Sequence, residues 1–211
     1  SPVHIIGLDF LVPLTLKALA PEAGAGWSNL VYFAISALFI LIVMHRYLFA
    51  SFHDLVDCRF DALTGIVTGY FGYYALRWLL SLIFWIAGRE AFPAVGSILS
   101  QARLNPSVFP VVSMILAPVV EEVLFRGTAF GGLRKKSRLL AYCVAFLVSG
   151  FYRVWGSVFS GFGWGMLADF IYSLPASLAL CWCYEKSGSI WGPILLHMLI
   201  NVLSVSLTIT T

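Results

Sequence analysis

The fold is decided by the stretch VFPVVSMILAPVVEEVLFRGTAF, which runs from residue 108 to residue 130. This stretch carries no charge as far as residue 120, where two adjacent glutamates, Glu121 and Glu122, are followed by Arg126. An apolar run of this length can cross a bilayer as a helix. An ionised side chain at bilayer depth is costly unless it is paired or faces a polar cavity, and such residues therefore indicate function.

The composition of the whole chain agrees with a membrane protein. The 211 residues are 60% hydrophobic and 11% charged, whereas soluble domains carry about a quarter charged residues. The apolar runs are continuous and helix-length rather than short and alternating, which excludes a transmembrane barrel. We therefore predict an all-α, polytopic transmembrane helical bundle. The net charge of +3 is small, and nucleic acid is not an expected partner.

The apolar runs predict about six spans within one membrane domain over residues 29–211. Residues 1–28 are expected to form an N-terminal interfacial or short helix and a linker, and residues 91–104 a second interfacial helix. The polar stretch at residues 51–61 is expected to be a loop. The predicted spans are 29–49, 62–87, 108–130, 139–155, 166–184 and 189–207.

Basic residues predict the orientation of these spans. The loops at 45–61, 133–138 and 185–188 hold most of the positive charge, and such loops face the cytoplasm. The third span then runs inward and the sixth outward. Membrane lipid is an expected partner on this basis.

The two glutamates are expected to have different roles. Neighbours on a helix diverge by about 100°, whereas residues four apart share a face. Glu122 is therefore predicted to pair with Arg126, leaving Glu121 for a polar cavity, where a carboxylate is suited to act as a general base. The alternative is that both acids belong to a packing network with Arg126 and Arg77, which lies mid-span in the second run.

A histidine and an asparagine share one face of the sixth span. His197 and Asn201 are four residues apart. Histidine can act as a base or an electrophile, and an asparagine amide can stabilise an oxyanion. Glu121 and His197 lie roughly 20 and 16 Å from the basic loops at helical rise, so they are expected at similar depth. The alternative is simple hydrogen bonding between helices.

Prolines precede both polar sites. Pro118 lies three residues before Glu121, and Pro193 lies four residues before His197. Each removes an intrahelical hydrogen bond and tends to kink its helix. We therefore expect kinks that help to open a pocket at each site.

Taken in order, these two motifs resemble the CPBP family of intramembrane proteases. The first is Glu-Glu-x-x-x-Arg at 121–126, and the second is Gly-Ser-Ile-Trp-x-Pro-Ile-x-x-His-x-x-x-Asn at 188–201. The family includes type II CAAX prenyl proteases and the bacterial Abi or bacteriocin-processing proteins. The similarity covers roughly residues 108–205.

The resemblance implies an intramembrane endopeptidase that hydrolyses a peptide bond near the C-terminus of a membrane-associated peptide or protein. Glu121 would activate water, and His197 and Asn201 would stabilise the oxyanion, with no metal or other cofactor. The protein would be integral to a bacterial cytoplasmic membrane, with its site opening toward the cytoplasm. The substrate would be presented from the membrane or the cytoplasmic side.

The chain departs from the family at a further motif, Phe-x-x-x-His, whose histidine assists the glutamate. Aligning Phe151 with this motif places Trp155 where the histidine belongs, with Arg153 nearby. Trp155, Arg153 and Arg77 are therefore candidates for lining the pocket. The departure favours an alternative, a non-catalytic scaffold, chaperone or regulator of a membrane or cell-envelope partner. A small transporter would instead show an internal repeat, and none is visible.

Overall fold

The computed structural model describes residues 25–89, 107–158 and 163–210. The described residues are helical, with connecting turns and no strand, which confirms the all-α bundle. The predicted helices at the N-terminus and at 91–104 lie outside these ranges, apart from the last residues of 1–28. In chain order the helices are α1 (Ala25–Val43), α2 (His45–Asp57), α3 (Arg59–Ile86), α4 (Val108–Arg134), α5 (Arg138–Val158), α6 (Trp164–Tyr172), α7 (Leu174–Ser187) and α8 (Trp191–Thr210).

Three helices in the described part of the chain are long and apolar enough to cross a membrane. They are α4, residues 138–155 of α5, and the nearly continuous pair α6 and α7. The pair α1 and α2 would be a fourth if it crosses as one unit, but the chain bends by 81° between them. The predicted span over 29–49 is therefore not one continuous helix, and the expected polar loop at 51–61 is largely helical.

The two remaining predicted spans are also helices. Helix α3 has 28 residues, but its mean hydropathy is diluted by glycine, threonine and tyrosine. Helix α8 is apolar over residues 191–205 and is shorter than the other spans in that part. Both helices pack against α7. The sequence therefore predicted the positions of α3 and α8 correctly, although neither is long and apolar enough to count as a membrane span by those criteria alone.

Small residues bring α3 close to α7 and α8. A Cβ atom added to Gly69 would lie 2.7 Å from Leu196 Cδ2 and 3.3 Å from the carbonyl oxygen of Ala179. One added to Gly65 would lie 3.3 Å from the carbonyl oxygen of Cys183. This small-x-x-x-small spacing is typical of helix pairs in membranes, where close backbone approach drives association.

The turn between α7 and α8 is fixed by glycine and serine. Gly188 ends α7 with a φ of 65°, the left-handed conformation that favours glycine. Pro193 then lies in the first turn of α8, where proline is tolerated because that N–H needs no helical partner. The expected kink at Pro193 is therefore absent. The hydroxyl of Ser187 donates to the carbonyl oxygen of Ser189 at 2.9 Å. Pro193 has no N–H with which to form the helical hydrogen bond to this oxygen.

Ion pairs join three of the basic loops at one end of the bundle. Arg138 pairs with Glu185 at 2.8 Å, and Lys186 pairs with Asp61 at 2.9 Å. The guanidinium of Arg134 lies 5.6 Å from the centre of the Tyr184 ring. The loops that were expected to share one side therefore do so.

Candidate functional site

The site is built on α4, whose hydrogen bonding alternates between α-helical and wider π-helical turns. Residues Val112–Leu116 and Val123–Phe130 form π-helical segments, and Ala117–Glu122 is α-helical between them. Wide turns of this kind inside α-helices are frequent at functional sites. Both glutamates therefore lie at the end of a short α-helical segment bounded on each side by a wider one. Pro118 lies in the first turn of the α-helical segment, directly after the first wider one.

Glu122 is the centre of a buried charged cluster. Its Oε1 accepts a hydrogen bond from Arg126 Nη1 at 3.1 Å and lies 2.7 Å from His197 Nδ1. The Glu122 side chain is fully buried, and that of Arg126 is 3% exposed. The predicted pairing of Glu122 with Arg126 is confirmed. The division between the glutamates differs from the prediction in one respect, because His197 hydrogen-bonds Glu122 rather than Glu121.

Glu121 occupies a different environment from its neighbour. It is partly exposed and lies within electrostatic range of His197, Arg126 and Arg153 as well as of Glu122. Basic side chains as well as its acidic neighbour therefore surround an acid that retains some access to the surface of the bundle. This arrangement suits a carboxylate that must remain available for chemistry.

Asn201 does not join the glutamates. Its amide Nδ2 donates to the backbone carbonyl oxygen of Ser113 at 2.7 Å. In α4 the N–H of Ala117 donates to Val112 rather than to Ser113, and Pro118 has no N–H to offer. Asn201 therefore satisfies a carbonyl that the local helix leaves free, and this contact ties α8 to α4.

The three further candidates lie around this cluster rather than in it. Arg77 donates to the hydroxyl of Tyr73 at 3.0 Å and lies 5.9 Å from the centre of the Tyr172 ring. Arg153 is exposed on α5 and interacts electrostatically with Asp169 as well as Glu121. Trp155 stacks on Phe151 with ring centres 5.2 Å apart.

Two contributors to the cluster were not predicted. Ser113 accepts the bond from Asn201, and the buried thiol of Cys181 on α7 lies within electrostatic range of Arg126. The contact with Ser113 could have been predicted from the sequence, because Pro118 lacks an N–H and leaves a carbonyl group one turn earlier without a donor. The second depends on how α7 packs on α4, which no local pattern encodes. Among the described residues, no three His, Cys, Asp or Glu side chains are placed to hold a metal ion.

Comparison with known proteins adds to this geometry. The chain matches the family model of the type II CAAX prenyl endopeptidase Rce1-like proteins over residues 103–203. It is also 36% identical over 110 residues to the UPF0177 protein YaiF of Lactococcus lactis subsp. lactis strain IL1403. That alignment covers 52% of this chain and 44% of the relative. No solved structure matches the chain.

The matched region contains every element of the site described above. Helix α4 with its two glutamates, α5 to α7, and α8 as far as Asn201 all lie within it. The resemblance drawn from the paired motifs is thus confirmed. The protein is an integral membrane protein whose segment 103–203 matches the family model of the Rce1-like type II CAAX prenyl endopeptidases.

Proposed function

We propose that the protein is an intramembrane endopeptidase that hydrolyses a peptide bond near the C-terminus of a membrane-associated peptide or protein. The observation that carries the proposal is the contrast between the two glutamates. Glu122 is buried and neutralised by Arg126, whereas Glu121 is partly exposed beside the same cluster. The match of residues 103–203 to the family model of a type II CAAX prenyl endopeptidase supports the same reading.

In this proposal Glu121 acts as the general base. Its carboxylate takes a proton from a water molecule as the water oxygen attacks the carbonyl carbon of the substrate. The same carboxyl group can then return the proton to the leaving amine. Arg126, held by Glu122, lies within electrostatic range of Glu121.

Asn201 has a structural role in this proposal. Its contact with the Ser113 carbonyl uses one amide N–H and fixes the side chain on α4. The oxyanion role that the family resemblance implies for Asn201 would need the remaining N–H. We therefore assign Asn201 to holding α8 against α4.

We propose that the site opens toward the cytoplasm of a bacterial cell. The basic end of the bundle carries the exposed residues Lys135 and Lys136 beside Arg134. Positive loops remain on the cytoplasmic side. A peptide substrate would therefore reach Glu121 from the membrane or the cytoplasmic side.

The test is a cleavage assay in proteoliposomes. A mixture of peptides, with and without a C-terminal lipid, is incubated with the wild type or with Glu121→Gln, and products are identified by mass spectrometry. We expect products from the wild type, and at least about 100-fold less from the variant, since general-base catalysis contributes roughly 10²–10⁴ in rate. Equal product from both proteins would refute the proposal.

A non-catalytic scaffold is the second candidate, and two observations favour it. Trp155 stands where the further family motif, Phe-x-x-x-His, has its histidine, and the Asn201 amide donates to the backbone carbonyl oxygen of Ser113. A scaffold would bind a membrane or cell-envelope partner without processing it. Co-purification of a partner with both the wild type and Glu121→Gln, with no cleavage by either, would support this alternative.

A further inference from the structure

His197 is held through one of its two ring nitrogens. Nδ1 lies 2.7 Å from Glu122 Oε1, and the same oxygen accepts a bond from Arg126 Nη1. Arginine does not lose its proton in proteins, so the Glu122 carboxyl group beside it is favoured as the ionised acceptor. A carboxylate oxygen can only accept, and Nδ1 must therefore carry the proton that it donates.

This contact decides what the other nitrogen can do. When the imidazole is neutral, only one of its nitrogens carries hydrogen, and Nε2 of His197 is then bare and can only accept. A bare nitrogen cannot donate to an oxyanion. A buried carboxylate that fixes a histidine tautomer in this way is the arrangement by which serine hydrolases prepare their histidine as a base.

Resting on the proposed function, we infer that His197 is a second proton acceptor of the site, and that Glu122 is the residue that positions it. Helix α5 contains no histidine, aspartate or glutamate over residues 138–158, so that helix supplies neither a carboxylate nor an imidazole to assist Glu121. His197 is within electrostatic range of Glu121 and reaches the cluster from the opposite helix, α8.

If the leaving amine departs neutral, the second proton of the attacking water must also be taken up, and we assign that proton to His197. Water attacks the carbonyl carbon, the C=O pair moves to oxygen, and Glu121 takes one water proton. As the C–N bond breaks, Glu121 returns that proton to the nitrogen. His197 Nε2 takes the second proton of the former water, and the products are a carboxylate and a neutral amine.

The tautomer of His197 tests the positioning directly. His4, His45 and His53 are replaced by Gln, so that ¹⁵N-histidine NMR of the protein in lipid bilayers reports on His197 alone. We expect the neutral ring to carry its proton on Nδ1. In Glu122→Leu/Arg126→Met, which removes the acceptor and the charge it balances, we expect a mixture of tautomers. Glu185→Gln, at the basic end, is the control and should keep the wild-type spectrum.

A neutral ring protonated at Nε2 in the wild type would overturn the inference, as would an unchanged tautomer in the double variant. The wild-type spectrum decides the matter even if the double variant fails to fold. It also does so without a known substrate.

Cleavage of the peptide mixture separates the two possible roles of His197. Gln at position 197 retains an amide N–H donor but cannot take up a proton. We therefore expect His197→Gln to lower cleavage at least about 100-fold. If Glu121→Gln abolishes cleavage and His197→Gln retains it within about tenfold, the inference fails and the proposed function stands. Unchanged cleavage by Glu121→Gln refutes the proposed function itself.

Discussion

At the scale of single residues, the bond between Asn201 and Ser113 shows how proline shapes the site. The carbonyl of Ser113 has no helical donor, because Ala117 bonds Val112 and Pro118 lacks an N–H. A carbonyl left unsatisfied within a membrane protein costs several kcal/mol, so a partner from a neighbouring helix is favoured. Asn201 on α8 is thus coupled to Pro118 on α4 through the carbonyl group of Ser113.

This coupling predicts a non-additive pair of substitutions. Asn201→Leu should lower the free energy of unfolding by about 1–2 kcal/mol, since interhelical hydrogen bonds in membranes reach about 1.7 kcal/mol. Pro118→Ala restores an N–H to α4, and the same Asn201 substitution in that background should cost less than about 0.5 kcal/mol. Unfolding of all four proteins in mixed detergent micelles measures the difference. Equal costs in both backgrounds would contradict the coupling.

At the scale of helices, packing of α3 depends on Gly65 and Gly69. These glycines allow the backbone of α3 to approach α7 closely. A Cβ atom added at Gly69 or Gly65 would lie 3.3 Å from the carbonyl oxygen of Ala179 or Cys183, respectively. Close packing of this kind replaces the hydrophobic effect, which does not drive helices together within lipid. Helix α7 in turn supplies Cys181 to Arg126, so the glycines of α3 support the helix that closes the site.

Substitution of these glycines has a matched control in the same helix. Gly69→Val should lower the free energy of unfolding by about 1–3 kcal/mol through overpacking. Gly72 has open space where a Cβ would lie, and Gly72→Val should change stability by less than about 1 kcal/mol, since only helix propensity changes. Thermal unfolding in detergent compares the two. A similar loss in both variants would show that α3 is not packed as described.

At the scale of the whole molecule, the two ends of the bundle differ in charge. Arg138, Glu185, Lys186 and Asp61 meet at one end. At the other end the guanidinium of Arg89 lies 4.9 Å from the centre of the Trp164 ring, an aromatic residue of the kind that marks membrane interfaces. This asymmetry is the basis of the proposed orientation.

Thiol labelling tests the orientation. In a background with the exposed cysteines Cys58 and Cys143 replaced by Ser, Lys136→Cys is placed at the basic end and Gly163→Cys at the other. A membrane-impermeant maleimide added to intact cells should label position 163 and should label position 136 only after lysis. The reverse pattern would show that the site opens away from the cytoplasm.

Much of the bundle was predictable because each long helix is an uninterrupted apolar run. The 81° bend between α1 and α2 was not, since residues 29–49 read as one apolar span and neither proline nor glycine marks the break at Met44. The bend is accompanied by tertiary contacts, in which Trp191 Nε1 donates to the Leu48 carbonyl oxygen and Ser189 to that of Ser51. Such long-range contacts have no local signature.

The site was predictable where spacing along one helix determines contact. The Glu122–Arg126 pair follows from residues four apart on one face. The sequence did not predict which glutamate contacts His197. Adjacent glutamates point in directions about 100° apart around the helix axis, and the π-helical segments of α4 change those directions. The partner of Asn201 was missed for a related reason, since it is a backbone atom rather than a side chain.

The central claim is that Glu121 is catalytic whereas its neighbour Glu122 is structural. Single Gln variants at the two positions test this claim most directly. Cleavage per folded molecule and free energy of unfolding are measured for Glu121→Gln and Glu122→Gln in the same lipid. We expect Glu121→Gln to lose at least about 100-fold in cleavage with its stability within about 1 kcal/mol of wild type. Glu122→Gln should lose about 3–5 kcal/mol of stability, because it leaves Arg126 buried without its counter-charge. Wild-type cleavage by Glu121→Gln, or an equal loss of stability in both variants, would contradict the claim.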